Sequence, residues 1–276
     1  MTLNVKSKRF IFSRRIKRRT RYLLKKLYQV IFPSHGSRAV FVLGSGRSGT
    51  DIVAHCLSKA WDTELINEDN PKAFENWRFK DLETVCRAVD SSSAKLVLFK
   101  PIVETLRGQE FLGNFSDSSI LFVTRNPFDA VNSMVRFFGD GHVKAVKSWV
   151  ANDFAQNPLV PTELKQFITD HVHEELSRED ASGLYWLMYN TAFHFLGLHT
   201  DSRAMLLTYE DMVQNPEATM KQVCRFLHLK WSPSMVSEVY GGSLGKNPSP
   251  NLSPEIEKAC LDQWERLTGK CLPGSN

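Results

Sequence analysis

Residues 44 to 50 read Gly-Ser-Gly-Arg-Ser-Gly-Thr and combine three glycines with one cation and three hydroxyl groups. They follow a short apolar run, Ala39 to Leu43, and precede apolar residues that recur at helical spacing between Ile52 and Ala60. A strand, a glycine-rich turn and a helix in this order direct backbone N–H groups and the positive end of a helix dipole at one point. The stretch is therefore predicted to bind an anionic group such as a phosphate.

Three classes of phosphate ligand fit this loop when it is considered alone. Its G-x-G-x-x-G spacing matches the dinucleotide fingerprint, and Glu68 lies near the place of a ribose-binding acid. The outer glycines also start like a Walker A loop, although Thr50 stands where that loop requires Lys. In the third interpretation the loop grips a phosphosulfate, with Arg47 as the cation and Ser48, Gly49 and Thr50 as donors. A turn that only packs a helix on a strand remains an alternative to all three.

Apolar runs and helical segments alternate along the rest of the chain. The further runs are Leu96 to Phe99, Ile120 to Val123 and Ala204 to Leu207, with a shorter one at Leu65-Ile66. This alternation predicts an α/β fold, P-loop-like and three-layered, with a central parallel sheet flanked by helices. Ligands of such sheets bind beyond the carboxyl ends of the strands. Those ends carry the glycine loop, Glu68, Lys100, Arg125 and Tyr209.

A second motif follows the predicted strand that ends at Thr124. It reads Arg125-Asn-Pro-Phe-Asp-Ala-Val-Asn-Ser133, and Pro127 suits the first turn of a helix. Arg125 would then stand at the strand end, with Ser133 two turns along the helix. A forked guanidinium and a hydroxyl are suitable groups for a second phosphate. Arg125 taken alone is equally compatible with a structural ion pair.

The positive net charge of +5 belongs to the N-terminal tail. Residues 1 to 38 hold 12 Lys or Arg and no acid, which leaves 23 basic and 30 acidic residues, or −7, for the remainder. An acidic body disfavours nucleic acid as a partner. The five cysteines are scattered and contain no Cys-x-x-Cys pair, so neither a zinc site nor a disulfide framework is expected.

Residues 1 to 36 are predicted to be a basic amphipathic tail with helical character, distinct from a body over residues 37 to 276. From Ile16 to Ile31 the apolar residues cluster on one helical face. One hypothesis is a helix that lies on an anionic membrane surface, and the alternative is a solvated tail that packs a few apolar residues on the body. No apolar run approaches the ~20 residues of a spanning helix. A cytoplasmic location is expected, with peripheral membrane attachment as an option.

With both motifs in place, the chain resembles the sulfotransferase family that uses 3′-phosphoadenosine-5′-phosphosulfate (PAPS). The glycine loop is similar to the 5′-phosphosulfate loop of that family, and Arg125 to Ser133 resembles its 3′-phosphate motif. A later block, Leu207-Thr-Tyr-Glu-Asp-Met-Val followed by Asn-Pro-Glu, resembles a third family stretch. The resemblance is nearest to the bacterial, carbohydrate and tyrosylprotein branches.

This resemblance implies PAPS as the donor co-substrate, no metal, and roles for individual residues. Glu68 matches the catalytic carboxylate of these branches, with Asp69 and Glu75 as alternative bases. Asp51 stands where the family commonly has a second Thr in the loop. The implied catalytic residues are Glu68, Lys100 and Arg47, and the implied donor-binding residues are Gly46, Arg47, Ser48, Gly49, Thr50, Asp51, Arg125, Ser133, Tyr209 and Lys246.

The implied function is transfer of a sulfuryl group to a hydroxyl or amine on a small-molecule, glycan or lipid acceptor. Family analogy favours a carbohydrate or glycolipid. Residues 138 to 200 are expected to be a mainly helical insert. Acceptor specificity is expected to depend on residues 68 to 90 and on residues 138 to 190 of this insert. Two alternatives stay open, a nucleotide-dependent phosphotransferase and a non-enzymatic nucleotide-binding protein at a membrane.

Overall fold

The structure is a computed structural model that describes residues 20–34, 36–240, 245 and 248–272. A parallel sheet is built from β1 (Arg38–Gly44), β2 (Thr63–Ile66), β5 (Leu96–Phe99), β6 (Ser119–Thr124) and β7 (Ala204–Thr208), and β3 (Phe74–Glu75) pairs with β4 (Arg78–Phe79) in a separate hairpin. The order across the large sheet is β2-β5-β1-β6-β7, and all its pairings are parallel. The predicted apolar runs are therefore the strands of the sheet.

Helices cover both faces of this sheet. The helix α1 occupies residues 20–31, and residues 1–19 of the predicted tail lie outside the described residues. Among the described residues, no helix combines the length and apolar character needed to span a bilayer. The other helices are α2 (Thr50–Ser58), α3 (Leu82–Asp90), α4 (Gly108–Asn114), α5 (Pro127–Phe138), α6 (Gly141–Ala151), α7 (Thr162–His171), α8 (Arg178–Phe195), α9 (Tyr209–Gln214), α10 (Pro216–Phe226) and α11 (Pro254–Thr268), with 3₁₀ turns at Ile102–Arg107, Leu198–Thr200 and Pro233–Met235.

The alternation of side chains along β1 divides the core into two layers. Phe41 is fully buried on one face, where its ring stacks on Phe99 and Phe111 at centroid distances of 5.7 and 4.7 Å. Val40 and Val42 point to the opposite face and pack against α2 and α10 residues. Both faces of the strand are apolar because both are covered by helices. The α/β prediction of a three-layer fold is thus confirmed.

The sheet order determines which loops become neighbours. Because β1 lies between β5 and β6, the segments that follow these three strands leave the sheet side by side. Gly44 pairs with Val123, two residues before Arg125, and Phe41 pairs with Phe99, one residue before Lys100. The glycine loop therefore emerges between Lys100 and Arg125.

We expect Phe41→Ala to lower the free energy of unfolding by about 3–5 kcal/mol, since it leaves a cavity among stacked rings. Urea unfolding followed by circular dichroism measures this change. Leu159→Ala is the control, because Leu159 is 56 % exposed and its truncation should cost less than about 0.5 kcal/mol. Similar losses for the two variants would contradict the assigned core.

Candidate active site

The glycine loop has a backbone that only particular residues tolerate. Gly44 and Gly49 have φ values of 144° and 99°. A Cβ at Gly44 would collide with the carbonyl of Val123, and one at Gly49 would collide with the ring of Tyr209. Arg47 adopts a left-handed φ of 65°, a conformation that costs a non-glycine residue about 1–2 kcal/mol. Strain of this kind is typical of functional loops.

The loop places hydrogen-bond donors at the start of α2. Gly49 is the N-cap residue of α2 and supplies no side-chain hydrogen bond to the first turn. The hydroxyls of Ser45 and Ser48 are buried and have no hydrogen-bond partner among the described residues. Buried hydroxyls normally find a partner, so an anionic ligand that accepts from them fits this loop.

Arg125 lies at the end of β6 and is only 8 % exposed. Its guanidinium lies 4.4 Å above the ring centroid of Tyr209, and its Nη2 atom is 3.7 Å from Oδ2 of Asp129. The indole Nε1 of Trp186 donates to the carbonyl of Arg125 at 3.0 Å. These contacts hold the guanidinium in one orientation beside the start of α5.

The two motifs contact each other directly. Arg47 Nε donates to Ser133 Oγ at 3.1 Å, although the two residues are 86 positions apart in the sequence. Tyr209 forms a second link, because its ring packs under Gly49 on one side and under Arg125 on the other. The structure pairs the hydroxyl of Ser133 with Arg47, and the predicted action of Ser133 with Arg125 on a phosphate stays a prediction.

Lys100 lies at the end of β5 between two carboxylates. Its Nζ atom is 2.7 Å from Oδ1 of Asp51 and 3.1 Å from Oε1 of Glu68, and the residue is 4 % exposed. A buried cation requires such partners. The expected contact of Asp51 with the donor stays a prediction, and the structure shows its carboxylate on Lys100. Lys100 thus contacts both Asp51, which follows the glycine loop, and Glu68, the predicted base.

Gly245 also lies in this region. Lys246 lies outside the described residues, so its predicted donor contact has no structural description. The neighbouring Gly245 donates its N–H to Oδ2 of Asp129 at 3.3 Å. Because Asp129 also pairs with Arg125, Gly245 lies close to the second predicted anion site.

An aromatic stack lies in the helical insert, the segment that was expected to determine acceptor specificity. The ring of Tyr185 stacks on His142 at 4.0 Å and on Tyr189 at 4.4 Å. Phe138 contacts His142 at one end and approaches Gly46, where a Cβ would lie 3.3 Å from its ring. At the other end, the hydroxyl of Tyr189 donates to the carbonyl of Val103 at 3.4 Å, three residues after Lys100. The stack therefore runs along the site from the loop to the segment after β5.

The groups of this stack are uncharged at neutral pH. Burial lowers the pKa of His142 to about 4, so its imidazole is neutral. Burial also raises the pKa of the Tyr185 and Tyr189 hydroxyls, an effect that the charge of Arg78 partly opposes. The only sequence signal was the i, i+4 spacing of these tyrosines, which ordinary helix packing explains equally well.

Comparison with known proteins identifies the family of this architecture. The model of the sulfotransferase domain family matches residues 37–240, well over half of the chain. Similar solved structures include a sulfotransferase domain from the curacin biosynthetic pathway, with 16 % identity, a TM-score of 0.48 and coverage of 87 % of this chain and 93 % of that one. A sulfotransferase from Alicyclobacillus acidocaldarius has 16 % identity and a TM-score of 0.47, and the match covers 85 % of this chain and 97 % of that one. Mouse sulfotransferase SULT7A1 complexed with PAP has 12 % identity and a TM-score of 0.43, and the match covers 88 % of each chain. A search of curated proteins found no match.

We expect Gly49→Ala to abolish measurable binding of adenosine 3′,5′-bisphosphate (PAP), because the added methyl group displaces Tyr209 and strains the start of α2. Isothermal titration calorimetry measures the affinity. Gly113→Ala is the matched control, since a Cβ there meets no atom within 4 Å. Unchanged PAP affinity in Gly49→Ala would show that the loop conformation does not matter for the nucleotide.

Proposed function

The chain belongs to the sulfotransferase domain family, and we propose that it transfers a sulfuryl group from PAPS to a hydroxyl or amine acceptor. The observation that carries the proposal is the contact between its two anion-binding motifs. Arg47 Nε lies 3.1 Å from Ser133 Oγ, and Tyr209 packs against both Gly49 and Arg125. PAPS has a 5′-phosphosulfate and a 3′-phosphate on one nucleoside, and two adjoining anion sites suit such a ligand.

Each end of the donor has its own set of groups in this proposal. The hydroxyls of Ser45 and Ser48 and the first N–H groups of α2 bind the 5′-phosphosulfate, for which their buried and unsatisfied state is suited. Arg125 and Ser133 bind the 3′-phosphate. Arg125 is already held in place by Tyr209 and Asp129, so little side-chain entropy is lost when it binds.

PAPS supplies the sulfuryl group, whose bond to the 5′-phosphate oxygen breaks as the bond to the acceptor forms. Negative charge then increases on the departing phosphate oxygen. Arg47 and the N–H groups of the loop stabilise that charge, and Lys100 donates to the bridging oxygen. Glu68 accepts the proton that the acceptor hydroxyl loses. The 3.1 Å contact of Lys100 with Glu68 supports a common location for both roles.

The proposed acceptor is a carbohydrate or glycolipid hydroxyl, by analogy with the family, and an exposed aromatic side chain on the hairpin after Glu68 suits such a ligand. The β3–β4 hairpin follows Glu68 along the chain and is fixed by the bond from Phe79 N–H to Glu104 Oε2 at 2.8 Å. At the tip of the hairpin, Trp77 is 59 % exposed and has a φ of 65°, a strained conformation for a bulky residue.

The direct test is incubation of the protein with PAPS carrying labelled sulfur and with a panel of sugars, glycolipids, phenols and amines. We expect label to appear in a sugar-containing acceptor together with release of PAP. Transfer only to phenols or amines would remove the carbohydrate assignment but keep the reaction. Absence of transfer with every acceptor, together with absence of PAP binding, would refute the proposed function.

We expect Glu68→Gln to lower turnover by roughly 10²–10⁴-fold, because the amide cannot accept the proton of the acceptor. The affinity for PAP should change little, since the side chain keeps its shape. Rates are measured with saturating PAPS and affinities by calorimetry. Asp69→Asn is the matched control at the adjacent residue. If Asp69→Asn is the slower variant, the base must be reassigned to Asp69.

We expect Arg125→Ala to weaken PAP binding about 10- to 100-fold, because a charged hydrogen bond to the 3′-phosphate is lost. Binding of 5′-AMP, which has no 3′-phosphate, should change much less. Arg136→Ala is the control, since Arg136 is an exposed arginine on α5, the helix that follows Arg125, and its removal makes the same change in net charge. Equal losses for PAP and 5′-AMP would contradict a 3′-phosphate role for Arg125.

A further inference from the structure

The helix α1 contacts the body through its polar side. Arg21 and Lys25 donate to the carbonyls at the carboxyl end of α2, over 2.7 and 2.6 Å. Gln29 is 3 % exposed and donates to two backbone carbonyls at 2.9 Å each. These three residues are spaced i, i+4, i+8 and form one stripe along the helix. The polar stripe of α1 is therefore the side that is fixed to the protein.

Electrostatics explains this orientation. The carboxyl end of a helix carries a partial negative charge and unsatisfied carbonyls, which cations complement. Arg21 and Lys25 supply two such cations to α2. The arrangement has a cost, because burial lowers the pKa of Lys25 to about 7. The helix α1 thus buries the amine of Lys25 against the body, although it has apolar residues on its other side that could be buried instead.

Those apolar residues face outward. Fully burying one aliphatic side chain would stabilise a protein by about 1.5–3 kcal/mol, so this orientation forgoes several such contributions. The row, called the apolar row below, follows one helical stripe and continues into the residue after α1. Its members and exposures are Leu23 at 66 %, Leu24 at 51 %, Leu27 at 55 %, Val30 at 70 %, Ile31 at 58 % and Phe32 at 64 %. A contiguous exposed patch of this kind marks an interaction surface.

Aromatic side chains border the apolar row at one end. The ring of Tyr28 lies 5.3 Å from that of Phe32 and 5.5 Å from that of Trp61. Trp61 belongs to the turn after α2 and is 42 % exposed. Tyrosine and tryptophan are enriched where an apolar phase meets water. The patch is therefore apolar at its centre and amphipathic at this edge.

Charge indicates what the apolar row binds. Residues 1–19 directly precede α1 and hold eight Lys or Arg with no Asp or Glu. We propose that the apolar row inserts into the surface of an anionic lipid bilayer, to which the basic residues before it are attracted. Shallow insertion plus a cluster of basic residues supplies the two signals that stable peripheral binding requires. Each basic residue near an anionic surface contributes about 1 kcal/mol.

The same charge argues against a second copy of the chain as the occupant. Joining two apolar rows would bring two sets of eight basic residues together, and like charges repel. An anionic surface instead attracts them. The site would be little affected, because α1 caps the carboxyl end of α2 while the glycine loop is at its amino end, about 13 Å away for nine residues.

The test uses vesicles of phosphatidylcholine with one quarter phosphatidylglycerol, compared with pure phosphatidylcholine, in a sedimentation assay of the full chain. We expect binding to the anionic vesicles only. Leu27→Glu should weaken it at least tenfold, since insertion of one leucine contributes about 1.5–3 kcal/mol. Leu159→Glu is the matched control, because Leu27 is 55 % and Leu159 56 % exposed and both variants add one negative charge.

Three results would overturn the proposal. Wild-type protein that stays in the supernatant with anionic vesicles would exclude the bilayer as the partner. Equal binding of Leu27→Glu and Leu159→Glu would show that basic charge acts without insertion of the apolar row. A wild-type dimer in light scattering that Leu27→Glu converts to a monomer would assign the surface to a second copy. PAP affinity is measured on the same samples and should be unchanged, which makes the inference independent of the proposed function.

Discussion

The polarity of α2 organises both of the proposed functional surfaces of this protein. A helix has a partial positive charge at its amino end and a partial negative charge at its carboxyl end, and it needs partners at both. At the amino end, the hydroxyls of Ser45 and Ser48 in the glycine loop are buried without a hydrogen-bond partner among the described residues. At the carboxyl end, Arg21 and Lys25 donate to the last carbonyls. The anion site and the docking of α1 are thus two consequences of one short dipole, and they lie at opposite ends of it.

The site itself depends on a balance of charge around Lys100. Two carboxylates, Asp51 and Glu68, compensate one buried ammonium. In the proposed function, the donor would bring a further negative group next to the same cation, and Lys100 would share its contacts between the donor and the two acids.

The sequence by itself determined the architecture of the body. The strands were found because runs such as Leu96 to Phe99 are short and apolar on both faces, as expected for strands covered on both sides. A helix start was found because proline and an acid occupy the first turn, as at Pro127, where α5 begins. The glycine loop was recognisable for a related reason, since Gly44 and Gly49 adopt φ values that other residues rarely adopt. Each of these features depends on a few consecutive residues, so it can be recognised from a short stretch of sequence.

Tertiary structure decided what no local pattern contains, namely which distant side chains meet. The bond between Arg47 and Ser133 and the placement of Asp51 on Lys100 depend on the order of strands in the sheet. The pairing of tyrosines with His142 required the packing of two helices. The apolar side of α1 is visible in the sequence, but periodicity cannot say which side faces inward. The orientation of α1 is set by the carbonyls at the carboxyl end of α2, which accept hydrogen bonds from the polar stripe of α1, so that its leucines face the solvent.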